Sequence, residues 1–191
     1  MDELLADGGM IRKLWIGEGK KCRDHLHRLD AESRRNRFGF AIADELIDAY
    51  ASSPTWTGAV LHGFVVDGVL RGVAELKPFE AAFPTEAEAA FSIEKPWQSH
   101  GVGSALLERT LLVARNRGIK LVHLACLADN ARMQQLARKF AAQLSFDLGS
   151  IVGELAAPHP TPLSILREIV ADGHGVASAM LDAQARLLKI A

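Results

Sequence analysis

Residues 87–118 read AEAAFSIEKPWQSHGVGSALLERTLLVARNRG, and the three parts of this stretch decide the fold. Ala87 to Ile93 is expected to be a strand, and a glycine-bearing turn follows it. Ser104 to Arg117 then has the spacing of a helix, with Leu106, Leu107, Leu111 and Val113 as candidate core residues. Gly118 stands where a helix-ending glycine belongs. Glycine at 101 and 103 removes two side chains where the chain turns into the helix, so backbone N–H groups can approach an anion. The first helical turn leaves four N–H groups without intrahelical partners, and the helix dipole adds partial positive charge. A strand, a bare turn and a helix start thus make a pyrophosphate site without any lysine.

Two common nucleotide motifs do not fit. A Walker loop needs Gly-Lys-Ser/Thr, and Gly103 is followed by Ser104-Ala105. A dinucleotide fingerprint needs a third glycine at 106, where Leu106 stands.

Moving outward, IKLVHLACL (119–127) is a continuous apolar run, the pattern of a strand covered on both faces. Asn130 to Gln143 is expected to be helical, with Met133, Leu136, Ala137 and Phe140 on one side. LSFDL (144–148) and SIVGEL (150–155) read as two short strands. Upstream, AVLHGFVV (59–66) and VLRGVAEL (69–76) are β-rich runs joined by Asp67-Gly68, a two-residue hairpin signal. Arg12 to Ile16 reads as a short strand. A helix over 17–30 should bury Cys22, Leu26 and Leu29, with Asp30 capping the next helical turn. Ala43 to Ala51 should present Leu46, Ile47 and Tyr50 on one face and stop near Ser52-Ser53-Pro54. Beyond the proline-rich PHPTP (158–162), two helices are expected. The second carries an apolar stripe of Val176, Met180, Ala183, Leu187 and Ile190 that must pack on the core, a second copy or a lid.

The bulk numbers bound the rest. A chain of 191 residues, 49% hydrophobic, supports one ordinary domain with an appendage. A net charge of -1 argues against a dedicated nucleic-acid binder. Basic residues crowd the N-terminal fifth, either as a solvated helix face or as a footprint for an anionic ligand or acidic partner. Cys22 and Cys126 are too far apart in the sequence to suggest a disulfide framework or zinc spacing, and Cys126 reads as a core thiol. No histidine pair has metal spacing, since His25 and His27 cannot share a helix face, so no metal is expected. The N-terminus lacks the pattern of a signal peptide, and no apolar run approaches the ~20 residues of a membrane span. A cytoplasmic protein without membrane contact is the expectation.

The pattern Gln98-Ser99-His100-Gly101-Val102-Gly103, opening a helix after a strand and followed by a buried strand and Asn130, resembles the coenzyme A loop of the GNAT acetyltransferase superfamily. RLDAESRRNRF, VLRGVAEL, AEAAFSI and NARMQQLARK narrow the likeness to the acetyltransferase domain of Pat-type protein lysine acetyltransferases, over about residues 10–155. The resemblance implies an α/β (α+β) fold, with a mixed, mostly antiparallel sheet flanked by helices. It places the domain at 10–157 and a C-terminal helical extension at 158–191. It also implies acetyl-coenzyme A as co-substrate and an amine acceptor, either a protein lysine or a small molecule.

Carried over residue by residue, the resemblance implies that the strand Ala89 to Ile93, Ser92 included, pairs with the pantetheine arm. The Ile93 N–H would face the thioester oxyanion. Backbone groups of His100, Gly101, Val102, Gly103 and Ser104 would hold the diphosphate, with Gln98 shaping the loop. Asn130 would touch the pantetheine, serve as a plain helix cap, or do both. Attack requires a neutral amine, because an ammonium has no lone pair. Glu88, which matches the glutamate of the Ala-Glu pair in Pat-type domains, is the candidate base, against a reading as a solvated strand-start residue. Glu94 is the fallback. His100 reads as a loop spacer or phosphate donor, His123 as a satisfied core histidine, and Trp97 as packing. Many family members carry a tyrosine on the helix after Asn130, whereas this chain has Leu136-Ala137 there. The thiolate then leaves unassisted, or with help from water or another residue. The same gap motivates an alternative reading as an acyl-coenzyme A-binding sensor, and a homodimer through the C-terminal stripe is left open.

Overall fold

A computed structural model describes residues 8–52, 58–80, 82–147 and 149–190, with side chains for all of these except Ile16, Asp147, 176–179 and 181–190. The helices are α1 (Gly19–Arg28), α2 (Ala31–Phe38), α3 (Asp44–Ala51), α4 (Val102–Asn116), α5 (Ala131–Lys139) and α6 (Pro162–Ile190). The strands are β1 (Met10–Lys13), β2 (Val60–Val66), β3 (Val69–Pro78), β4 (Glu86–Ile93), β5 (Leu121–Leu127), β6 (Gln143–Asp147) and β7 (Ser150–Ala156). They form a seven-stranded sheet in the order β1-β2-β3-β4-β5-β7-β6. Every neighbouring pair is antiparallel except β4–β5. The expected mixed, mostly antiparallel sheet flanked by helices is the observed one. Among the described residues no helix is long and apolar enough to cross a membrane.

Local chemistry explains most boundaries. Asp67 and Gly68 take φ of 49° and 71°, the left-handed pair that matches the twist of the β2–β3 hairpin. Asp30 caps α2 by accepting from the Ser33 N–H at 3.0 Å. Helix α4 lies on one sheet face, where Leu106 and Leu107 are fully buried with Phe64, Leu76 and Val122 in the adjoining cores. On the other face α1 and α3 enclose Leu26, Leu29 and Ile47.

Several boundaries differ from those expected. Strand β1 runs Met10–Lys13, because the Glu18 carboxylate accepts from the Trp15 N–H (3.1 Å) and from Arg12 (2.6 Å), drawing the chain after Leu14 into a single 3-10 turn. Leu46 is exposed, since a helix as short as α3 buries only the side that carries Ile47. Helix α5 stops at Lys139, where the Ala142 N–H returns to the Ala137 carbonyl (3.0 Å) and Ala141 turns left-handed at φ 59°. Strand β5 is not covered on both faces: Val122, Leu124 and Cys126 are buried, whereas Ala125 on the other face is exposed. The two C-terminal helices are one. Gly175 lies inside α6, where an added Cβ would sit 2.9 Å from the Arg12 Cβ, so the glycine permits a close approach that offsets its low helix propensity. Of the expected stripe 176–190, only the Met180 side chain lies among those described, and it is exposed. Ser53 and Pro54 lie outside the described residues.

Leu106 seats α4 on the sheet. Leu106→Ala is expected to cost about 2–5 kcal/mol through lost transfer energy and the cavity left behind. Urea unfolding should show a lower midpoint at an unchanged slope.

Candidate functional site

The turn between β4 and α4 is shaped by its own residues. Trp97 stacks edge-on against Phe64 at 5.6 Å, confirming a packing role. Gln98 Nε2 donates to the Ile93 carbonyl (2.8 Å) and to Ser33 Oγ (3.1 Å), while its Oε1 accepts from Arg132. One side chain therefore ties the loop to β4, α2 and α5. Ser99 and Gly101 both take left-handed φ, 65° and 84°, and the chain reverses into α4. Nothing lies within 4 Å of a Cβ built on Gly101, so its requirement is conformational. The first intrahelical bond runs from the Ala105 N–H to the Gly101 carbonyl (3.1 Å). The amides of Val102, Gly103 and Ser104 precede it and sit at the positive end of the dipole. The Val102 side chain is buried in the core, so only its backbone belongs to the loop, and His100 is exposed.

Two cations that the sequence reading missed converge here. Lys139 Nζ donates to Ser104 Oγ at 2.9 Å, and Arg132 donates to Gln98. They stand seven residues apart on α5, two turns along one face. Among the described residues neither has a carboxylate partner. With Phe91, Gly101 and Asn130 they line a cleft of about 370 Å³. Asn130 Oδ1 caps α5 by accepting from the Met133 N–H (3.1 Å), so the residue is a helix cap and a cleft wall together.

Strand β4 supplies the floor. Its pairing with β5 ends at Glu88↔His123, and the two strands then diverge. The Glu94 N–H donates to the Arg71 carbonyl and the Phe79 N–H to the Glu86 carbonyl, so even-numbered residues of β4 direct their backbone groups to β3. Successive residues alternate, which turns the N–H and C=O groups of Ala89, Phe91 and Ile93 toward the open edge.

The profile of the acetyltransferase (GNAT) family matches residues 23–142, a span that takes in this loop, the open edge and α5. The chain belongs to that family. It is a GNAT acetyltransferase domain, and solved structures share the fold. The GNAT domain of Pat from S. lividans has a TM-score of 0.70 at 23% identity, covering 82% of this chain and 96% of that one. The N-acetyltransferase PaiA from Thermoplasma acidophilum, solved with coenzyme A, has a TM-score of 0.60 at 18% identity, covering 78% and 98%. A cAMP-binding acyltransferase from Mycobacterium smegmatis has a TM-score of 0.59 at 16% identity, covering 92% of this chain, which spans only 54% of that protein.

The remaining candidates of this GNAT domain fall into separate groups. Glu88 is exposed and lines a second, smaller cleft of about 130 Å³ with Arg37, Tyr50, Glu75 and Lys77. Glu75 is buried there, accepting from Arg37 (2.7 Å) and from the Tyr50 hydroxyl. Tyr50, remote in sequence, is thus brought beside Glu88. No sequence signal marked Glu75, whose neighbours in VLRGVAEL are those of an ordinary strand. Ser92 lines the main cleft, but its Oγ is bonded to His25 Nε2 (2.9 Å) and its backbone groups face β3. Its polar atoms are already engaged.

Glu94 is not an alternative base. It is buried and accepts from Arg28 (2.8 Å), Arg71 (2.9 Å) and His25 Nδ1 (3.2 Å). Burial alone would raise its pKa, and the hydrogen bonds from His25, Arg71 and Arg28 more than reverse this, holding the carboxyl below its ordinary value. His123 is also not a core histidine; it bridges Glu86 (2.7 Å) and Glu154 (3.9 Å) on the partly open face of β5. Five of the N-terminal arginines are engaged in ion pairs, while Lys20 lies on an exposed face. Arg12, Arg28, Arg34, Arg35 and Arg37 pair with Glu18, Glu94, Asp44, Asp129 and Glu75. Among the described residues no group of three His, Cys, Asp or Glu could hold a metal ion.

Glu94→Gln leaves two guanidinium groups without their carboxylate and is expected to cost on the order of 3 kcal/mol at neutral pH. Because the folded pKa is depressed, the native carboxylate contributes fully above its ordinary pKa, and that contribution fades as pH falls through the folded value. The stability gap between wild type and variant should therefore narrow on acidification, measured by urea unfolding at a series of pH values.

Proposed function

We propose that this GNAT domain transfers an acetyl group from acetyl-coenzyme A to a primary amine by direct attack in a ternary complex. The observation that carries the reading is the junction of the open β4 edge with the bare start of α4, flanked by Arg132 and Lys139. The edge suits the amides of a pantetheine arm, which would add to β4 as another strand does. The amides of residues 100–104 suit the diphosphate. Arg132 and Lys139 would neutralise its charge, with Asn130 contacting the arm through its amide nitrogen. The catalytic unit is residues 10–157, with 158–191 as a helical extension. A reducing cytoplasmic setting agrees with two buried free thiols.

In the reaction the neutral amine attacks the thioester carbonyl, forming a C–N bond as the C–S bond breaks. The Ile93 N–H, directed at the open edge, stabilises the developing oxyanion. The ammonium proton passes to Glu88. Strand rise separates the Glu88 Cα from those of Phe91 and Ile93 by about 10 and about 16 Å, more than one water bridges. The proton therefore travels along a chain of waters to the Glu88 carboxylate. The place of the family tyrosine is Ala137, which is buried and carries no proton donor. A thiol is far more acidic than an amine, so the thiolate leaves without it. The acceptor, a protein lysine or a small amine, approaches through the cleft of Glu88, Tyr50 and Glu75.

Glu88→Gln is expected to lower kcat about 10²–10⁴-fold and leave the Kd for acetyl-coenzyme A unchanged. Thiol release against an amine panel and calorimetry measure the two quantities. Tight binding without turnover by the wild type for every amine would favour a coenzyme-binding sensor instead. Gly101→Val forces a β-branched residue into a left-handed conformation and should weaken coenzyme binding at least tenfold while the circular dichroism is retained. Unchanged calorimetric binding would remove the loop from the site.

A further inference from the structure

Helix α6 touches the domain along one narrow line. Ser164 Oγ and Glu168 both bond to the Asn116 side chain, Ala171 is buried, and Asp172 meets Arg109 (3.3 Å) and Lys13 (3.6 Å). Gly175 closes the line against Arg12. At 100° per residue the opposite side carries Leu163, Leu166, Ile169 and Val170, with Ile165 at its margin. These five side chains are 46 to 62% exposed. A helix apolar on the side away from its own domain is a helix awaiting a second partner.

We infer that this outer face of α6 is the two-fold interface of a homodimer, formed with the same face of a second copy. Three features point to that occupant. At about 100 Å² for each half-exposed side chain the patch is on the order of 500 Å², at the upper end of what monomers expose. Doubled across a two-fold it reaches about 1,000 Å², the threshold of a specific interface. The spacing Leu163, Leu166, Val170, Gly173 advances by three, four and three residues, and exposed Met180 lies one heptad past Gly173. That is the seam a like helix fills. Finally, the face suits a membrane poorly. Interfacial helices surround their apolar side with lysine and arginine, whereas here the other side is docked to protein and Arg167 is the one Lys or Arg between 162 and 175. An isologous contact needs no second surface, because the same patch meets itself.

Sedimentation of the full chain at tens of micromolar tests this independently of any acetyl transfer. The wild type is expected at twice the chain mass, and Leu166→Glu/Ile169→Glu at the mass of one chain with unchanged circular dichroism. Leu46→Glu, an exposed leucine away from α6, should remain a dimer. A wild type sedimenting as one chain would overturn the inference, as would a double variant that stays dimeric. If the monomeric wild type instead pelleted with phosphatidylserine vesicles, the face would belong to a lipid surface and not to a second copy.

Discussion

Past Glu88, strand β4 continues for five residues with half of its backbone polar groups turned toward a neighbour that has moved away. Unpaired backbone groups in a partly buried place are costly, and the usual remedy is another strand. Here the remedy is incomplete. Gln98 Nε2 takes the Ile93 carbonyl, and the rest of the edge remains available to a ligand that can pair like a peptide. The divergence of β4 and β5 thus creates the floor of the cleft, and α4 begins at its end. The eight residues between Ile93 and Val102 fix the distance between an amide-binding edge and an anion-binding helix start.

That edge can stay open only if β4 is held firmly from its other sides. On the α4 face Phe91 and Ile93 pack with Val102 and Leu106. On the α1 face β4 is pinned by charge: Glu94 joins Arg28, Arg71 and His25, and neighbouring Glu75 joins Arg37 and Tyr50. These clusters gather residues from α1, α2, α3 and β3 onto the strand that carries the chemistry. Of the N-terminal basic residues, Arg28 and Arg37 therefore build the wall of the site.

What could be read from the sequence was what local rules govern. Asp67-Gly68, Asp30 and Gly118 act within a few residues of themselves, and the loop from Gln98 to Gly103 needs only its glycines and the following helix. The partners of that loop could not be read so, because Arg132 and Lys139 reach it through the packing of α5 across the cleft. Strand β5 misled because its apolar run continues onto a face left partly uncovered, where hydropathy does not distinguish a wall from a core. Helix α6 misled for the opposite reason: Gly173 and Gly175 would weaken an isolated helix, but the helix runs through both, and Gly175 lies where it touches the domain.

The chain Ser92, His25, Glu94 has the order of partners found in hydrolytic triads, and its charges explain why it does not act as one. An ionised Glu94 can only accept, so His25 Nδ1 carries the proton and Nε2 accepts from the Ser92 hydroxyl. A triad histidine must then become an imidazolium stabilised by its carboxylate. In this site Glu94 is shared with Arg28 and Arg71, and its pull on an imidazolium is outweighed by burial. Burial of the imidazole holds the His25 pKa below its ordinary value against the hydrogen bond and charge of Glu94, and the Arg28 charge acts in the same direction as burial. The neutral ring is therefore the stable one. Its work is to hold Ser92 and Glu94, and with them the register of β4, while the chemistry is left to the strand's open edge.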